Sequence, residues 1–207
     1  MRALSIVGGG VRLLAGVGLV LSLGVGAPPA AQAAITLGAP RAVAGTFGFS
    51  GVGCTSAGCV AVGSNFAGEG AVVPVAADGT PGRVRADAGT HELGGVGCTS
   101  AGCVAVGSNF NFDFATGYGF YEGVVVPVAA DGTPGRAQTV AGTDYFSGVG
   151  CTSAGCVAVG SSAGEGVVVP VAADGTPGSA RTVAGTQFLD GVGCTSAGCV
   201  AVGTNSY

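Results

Sequence analysis

Tryptophan and lysine are absent from this chain, histidine occurs once, and charged residues make up only 9% of it. Each absence excludes something. A phosphate backbone is bound largely through Lys and Arg, so a chain with no lysine and with Lys+Arg 7 against Asp+Glu 11 is not built for nucleic acid. The lone histidine, His91, lies in the stretch THELGG beside Glu92. Adjacency in sequence does not supply the positioned partner that acid–base chemistry needs, and His91 is expected on an exposed loop. No window carries apolar residues at helical spacing over ten or more positions, so helices are not expected after the N-terminal segment.

That segment, MRALSIVGGGVRLLAGVGLVLSLGVGAPPAAQAA, places Arg2 and Arg12 ahead of an apolar run from Leu13 to Ala27. Two prolines and Ala31-Gln32-Ala33 follow. The order is that of a secretory signal peptide over residues 1–33, cleaved after Ala33. A membrane span needs about 20 uninterrupted apolar residues, and this run is shorter and rich in glycine. No cysteine precedes Cys54, so nothing near the cleavage point can be lipidated. The expected mature chain, 34–207, is one secreted domain with no membrane span. It keeps five arginines against the eleven acids, a charge that favours solubility.

Glycine, with 43 residues, dominates together with alanine and valine. Small side chains remove little apolar area from water, at about 25 cal/mol per Å². A core made of them is thin, and eight cysteines in an exported chain are the natural reinforcement.

The cysteines belong to a block, GVGCTSAGCVAVG, that recurs at Gly51, Gly95, Gly148 and Gly191. Each period divides into four short segments: GVGCT, CVAVGS, a VVPVAAD-type run, and a segment such as RVRADAGT or RTVAGT. Valine-rich runs punctuated by Gly, Asp-Gly and Pro-Gly are strand and turn signals. In AADGTPG, Asp78, Asp131 and Asp174 can accept hydrogen bonds from the N–H groups just ahead, marking turns between the third and fourth segments. In CTSAGC, Gly58, Gly102, Gly155 and Gly198 sit at the hairpin position that favours glycine.

Four strands in each period of about 40 to 50 residues is the pattern of a β-propeller blade. The fold class expected is therefore all-β, a β-propeller-like repeat array of about four blades. The last blade is incomplete, because RAVAGT at Arg41 is a fourth segment and the chain's final block stops after a second, with no third segment in either piece. A four-bladed ring, an open array and an assembly completed by a second chain are all compatible with this pattern. The block and the DGTPG turn resemble the repeats of secreted bacterial β-propeller-like proteins, and the turn is similar to a degenerate Asp-box of the sialidase and sortilin type. The resemblance implies a turn joining the third and fourth strands of each blade at Asp78, Asp131 and Asp174. It does not carry over the buried aromatic plug, since Pro81, Pro134 and Pro177 stand near the turn instead.

Only the pairs Cys54–Cys59, Cys98–Cys103, Cys151–Cys156 and Cys194–Cys199 treat all four copies alike, and a hairpin sets such cysteines face to face. Local disulfides are expected in preference to zinc, whose sites combine C-x₂₋₄-C pairs or histidines. The glycine-rich block lacks the lysine of a P-loop and the following helix of a dinucleotide fingerprint. Gly160-Ser161-Ser162-Ala163-Gly164 spells G-x-S-x-G without the strand-to-helix context of a nucleophile elbow. No cofactor, metal or catalytic residue is expected.

The repeat also generates columns. Arg41, Arg85 and Arg181 share one position with Gln138, Arg83 and Arg136 share another, and Glu69, Glu122 and Glu165 a third. On a fourth strand such charges are expected to be a solvated rim that discourages edge pairing. The long second period carries an insertion, NFDFATGYGFY, read as a loop, that gathers Phe110, Phe112, Phe114, Tyr118, Phe120 and Tyr121. Aromatics carried by a rigid scaffold suit sugars or protein surfaces, or else they patch the thin core. The function expected is a secreted, non-catalytic scaffold binding a glycan, cell-surface or protein partner, with oligomers allowed. The alternative is a glycan-active hydrolase of the Asp-box kind, which the resemblance implies would need a tyrosine–glutamate pair, an acid and three converging arginines.

Overall fold

The computed structural model describes residues 39–205 apart from Ala88; the signal-peptide reading of 1–33 lies outside the described residues. The described chain is all-β, with four antiparallel sheets that follow the four copies of the block. The first sheet holds β1 (Thr46–Thr55), β2 (Gly58–Asn65), β3 (Gly70–Ala76) and β4 (Arg85–Asp87) in sequence order. The second holds β5 (Glu92–Thr99), β6 (Gly102–Asp113), β7 (Tyr118–Val128) and β8 (Gln138–Thr139). The third holds β9 (Tyr145–Thr152), β10 (Gly155–Ser162), β11 (Glu165–Val171) and β12 (Arg181–Val183). The fourth has only β13 (Thr186–Thr195) and β14 (Gly198–Asn205). No helix occurs among the described residues, and they form no closed ring.

Each block folds into a hairpin with the cysteines directly opposite, as in Cys98↔Cys103, and all four expected disulfides are present with Cα atoms 4.0 Å apart. That separation is the close spacing of a non-hydrogen-bonded antiparallel pair, where side chains approach most nearly. The tip is held by a threonine: the Thr99 hydroxyl accepts the Ala101 N–H at 3.1 Å. Gly102 follows at φ 154°, a conformation that other residues rarely adopt.

The sheets pack face to face through small residues. Glycines of each first strand meet the first strand of the next sheet: a Cβ on Gly51 would lie 3.2 Å from the Gly95 Cα, and one on Gly95 would lie 3.1 Å from the Gly148 Cα. The disulfide of each sheet rests on a glycine of the sheet before it, so that a Cβ on Gly53, Gly97 or Gly150 would come within 2.7–2.9 Å of the Sγ of Cys98, Cys151 or Cys194. Glycine therefore serves here for close approach of backbones rather than for turning.

Interior sheets are covered on both faces, which explains why the third strands read as continuous valine rather than as an alternating pattern. In the second sheet, Val126 and Val128 pack with Val60, Val62 and Val72 of the first, whereas Val125 packs with Phe146, Val149 and Val167 of the third. Val124, Val125 and Val126 are all fully buried.

Between third and fourth strands the turn aspartates act as their sequence suggests. Asp78 accepts the Thr80 N–H at 2.8 Å, Asp131 the Thr133 N–H at 2.8 Å and Asp174 the Thr176 N–H at 2.9 Å. These bonds, with those from the threonine hydroxyls, hold the three carboxyls below the ordinary carboxylate range. Whatever they contribute to the fold is present above that range and lost as the pH falls through their lowered values.

Candidate functional site

The aromatic insertion is not a loop. It prolongs the β6–β7 hairpin, with Phe110↔Tyr121, Asn111↔Phe120, Phe112↔Gly119 and Asp113↔Tyr118 paired in register. The run alternates aromatic and polar residues, which is strand patterning with a period of two, and Asp113 closes the turn by accepting the Ala115 N–H at 2.9 Å. All six aromatics are exposed, so they do not patch the core.

Alternation divides them between two faces. Phe110 and Tyr121 face the same way with ring centroids 5.2 Å apart, and the Phe110 ring lies over Gly119, where a Cβ would strike it at 2.4 Å. Phe112 meets Phe114 edge to face at 5.1 Å. The opposite face carries Tyr118 and Phe120 beside Asn111, whose amide donates to Glu122 at 2.7 Å.

His91 is half-buried rather than loop-exposed, because its ring closes the Phe110–Tyr121 pair at 6.4 and 5.7 Å. Its backbone N–H donates to the Ser108 carbonyl at 2.8 Å, anchoring the residue at the start of β5. Its Nδ1 is buried without a hydrogen-bond partner among the described residues. A buried polar atom left unpaired costs about 1–3 kcal/mol.

His91 and Tyr121 of this cluster line a cleft of about 430 Å³ at one end of the stacked first strands. Ser50, Glu92, Ser108 and Ser147 line it together with Tyr121 and Tyr145. The cleft gathers groups from three sheets, which is why no single motif announces it. Tyr145, Ser50 and Ser147 were not apparent as site residues from sequence. A signal existed: the four copies are identical through the thirteen-residue block but differ just before it, with Ser50, Gly94, Ser147 and Asp190 in one column and Glu92 and Tyr145 in another. Those varied columns contribute Ser50, Glu92, Gly94, Tyr145 and Ser147 to the cleft's lining.

Other candidates lie elsewhere. Tyr121 and Glu122 are neighbours on one strand and face opposite ways. The arginine column does not converge. Arg41 donates to Thr80 at 3.1 Å, and Arg85 donates to Thr133 and lies 3.7 Å from Asp131. Gln138 donates to the Gly175 carbonyl at 3.2 Å, so Arg41, Arg85 and Gln138 each clasp the DGT turn of the sheet that follows. Ser162 of the G-x-S-x-G match sits at the end of β10, and its hydroxyl donates to Gly142, with a second strand rather than a helix following. Comparison with family models and with curated proteins gives no match.

One buried carboxyl stands apart from the cleft. Asp87, at the end of β4, accepts the Gly89 N–H at 3.1 Å through Oδ1, while Oδ2 is buried without a partner among the described residues. Burial raises its pKa against the lowering from Gly89. The fold thus favours the protonated form. This contribution is complete below the ordinary carboxylate range and is lost as the pH rises through the raised value. Asp87→Asn keeps the acceptor and removes the buried charge, so it is expected to raise the melting temperature at neutral pH by roughly 2–4 °C, the equivalent of about 1 kcal/mol. The gain should vanish near pH 3, where the native carboxyl is also neutral, and calorimetry at both pH values checks it.

Proposed function

We propose that the protein is a secreted, non-catalytic module of propeller-like repeats that binds a carbohydrate in the cleft lined by His91, Tyr121 and Tyr145. One observation carries this reading: the exposed rings of Tyr121 and Tyr145 line a single concavity together with Glu92 and three serines, Ser50, Ser108 and Ser147. A sugar presents an apolar C–H face for stacking and hydroxyls that both donate and accept. Aromatic walls with a few placed polar groups suit such a ligand. Secretion is supported by four disulfides and by the signal-peptide pattern at the N-terminus. The propeller-like reading is supported by four-stranded sheets that pack through their first strands. Cleavage of the glycan is the less supported alternative, since Arg41 and Arg85 engage separate turns and Glu122 points away from Tyr121.

The test is calorimetric titration with a panel of soluble oligosaccharides, sialosides included, alongside a hydrolysis assay on the same panel. Tyr121→Ala is expected to weaken binding at least about tenfold, or 1.4 kcal/mol, with little change in melting temperature because the ring is already 47% exposed. Tyr118→Ala with Phe120→Ala, on the other hairpin face, should leave affinity unchanged. No binding by any sugar, or turnover abolished by Glu92→Gln, would refute the reading.

A further inference from the structure

The three junctions between successive sheets define a repeated pair of complementary surfaces. One is a plug on the leading face of each sheet: Leu93, Val96 and Cys98 in the second, Phe146, Val149 and Cys151 in the third, Leu189, Val192 and Cys194 in the fourth. These side chains are covered by the preceding sheet, with Leu93 at 0%, Phe146 at 2% and Leu189 at 4% exposure. The other surface is a socket on the trailing face, made of two glycines and the two valines opposite them. Gly51 and Gly53 with Val62 and Val60 form the first socket, and Gly95 and Gly97 with Val106 and Val104 form the second. Those four valines are at most 4% exposed.

At the two ends of the described stack, one plug and one socket stand open. The first sheet's plug is Phe49, Val52 and Cys54, with Phe49 at 45% and Val52 at 65% exposure. In the fourth sheet the socket is Gly191 and Gly193 with Val202 and Val200, and those valines are 62% and 70% exposed. A Cβ placed on Gly193 meets nothing within 4 Å, whereas its counterparts in the other three sheets are pressed against a cystine sulfur.

We infer that the open socket on β13 and β14 receives the open plug of a second copy of this chain. The docked first sheet would rest its Cys54–Cys59 disulfide on Gly193 and its Val52 against the strand beside it, repeating the three internal junctions. The ends are compatible in a second respect. Arg41 reaches the Thr80 turn as Arg85 reaches the Thr133 turn, so the segment around Arg41 holds the place of the last strand of a preceding sheet. The fourth sheet has its first two strands and no last strand among the described residues. The incoming segment and the receiving sheet therefore do not compete for one place. Because plug and socket differ, the contact is heterologous, and copies join head to tail, closing into a ring or continuing as a filament according to the angle between them.

Sedimentation velocity on the protein purified after secretion tests this across the micromolar range. The wild type should associate with concentration. Gly193→Val fills the socket and Val52→Arg charges the plug; both positions are open to solvent, and matching circular dichroism spectra and melting temperatures establish that each variant is folded. Each alone should lose association by at least about tenfold in concentration. Mixed together they should recover a 1:1 dimer and nothing larger, because one intact plug and one intact socket remain. A wild type that stays monomeric throughout overturns the inference, whether its own ends meet or remain free. So does an association unaffected by the variants, or a mixture that fails to pair.

Discussion

Reduction of the four disulfides is expected to lower the melting temperature by more than about 15 °C, taking roughly 2–4 °C for each kcal/mol. Each bridge spans a sequence separation of only five residues. For so short a loop, closure entropy assigns about 2 kcal/mol to each bond. The bonds lie in different sheets, so their contributions should nearly add, to about 8 kcal/mol against a net stability of about 5–15 kcal/mol for an ordinary domain. A core of valine, alanine and glycine leaves little to compensate. The order of loss should follow exposure. Cys54 and Cys199 are exposed at the two ends, whereas Cys103 and Cys156 are 6% and 4% exposed between sheets. Graded reductant followed by alkylation and mass spectrometry should label the outer pairs first. A reduced protein that melts with the oxidised one would show that packing, not sulfur, holds the hairpins.

The second large effect concerns two glycines that the sequence cannot tell apart. Gly97→Ala should destabilise by about 3 kcal/mol or more, the upper range for overpacking. The new methyl would stand 2.7 Å from the Cys151 Sγ and 3.0 Å from the Val149 carbonyl oxygen, neither of which is the free end of a flexible chain. Gly193→Ala, the same residue in the same thirteen-residue block, meets no neighbour within the chain and, at concentrations where the protein is unassociated, should change stability by less than about 0.5 kcal/mol. Denaturant midpoints of the pair measure the difference directly. Equal effects would mean that the glycines are needed for backbone conformation and not for the approach of one sheet to the next.

Much of the fold was legible because the repeat wrote it four times. The cysteine pairing, the threonine-held hairpin tips and the Asp78, Asp131 and Asp174 turns are local, settled by residues within a few positions of one another. What escaped is what three sheets assemble together. His91 reads as a surface residue until Phe110 and Tyr121 arrive from a hairpin to enclose it. The aromatic insertion reads as a loop because extra residues in one copy of a repeat are usually loops, yet its own alternation of Phe with Asn and Asp is that of a strand. The arginine column reads as a rim, and it is one, but Arg85 and Gln138 also clasp the turn of the next sheet, a partnership set by the stacking angle and invisible in any one period.

The five-residue separation of every cysteine pair also bears on how the chain reaches its native state. Contacts that close over so few residues form in well under a microsecond, long before distant strands can meet. A chain emerging from its N-terminal end would bring Cys54 and Cys59 out together, then Cys98 and Cys103, each couple finding its mate while the later ones are still unseen. The short separation thus gives each local pair the highest contact frequency of all the pairings open to it, even though the covalent step itself is slower than the contact.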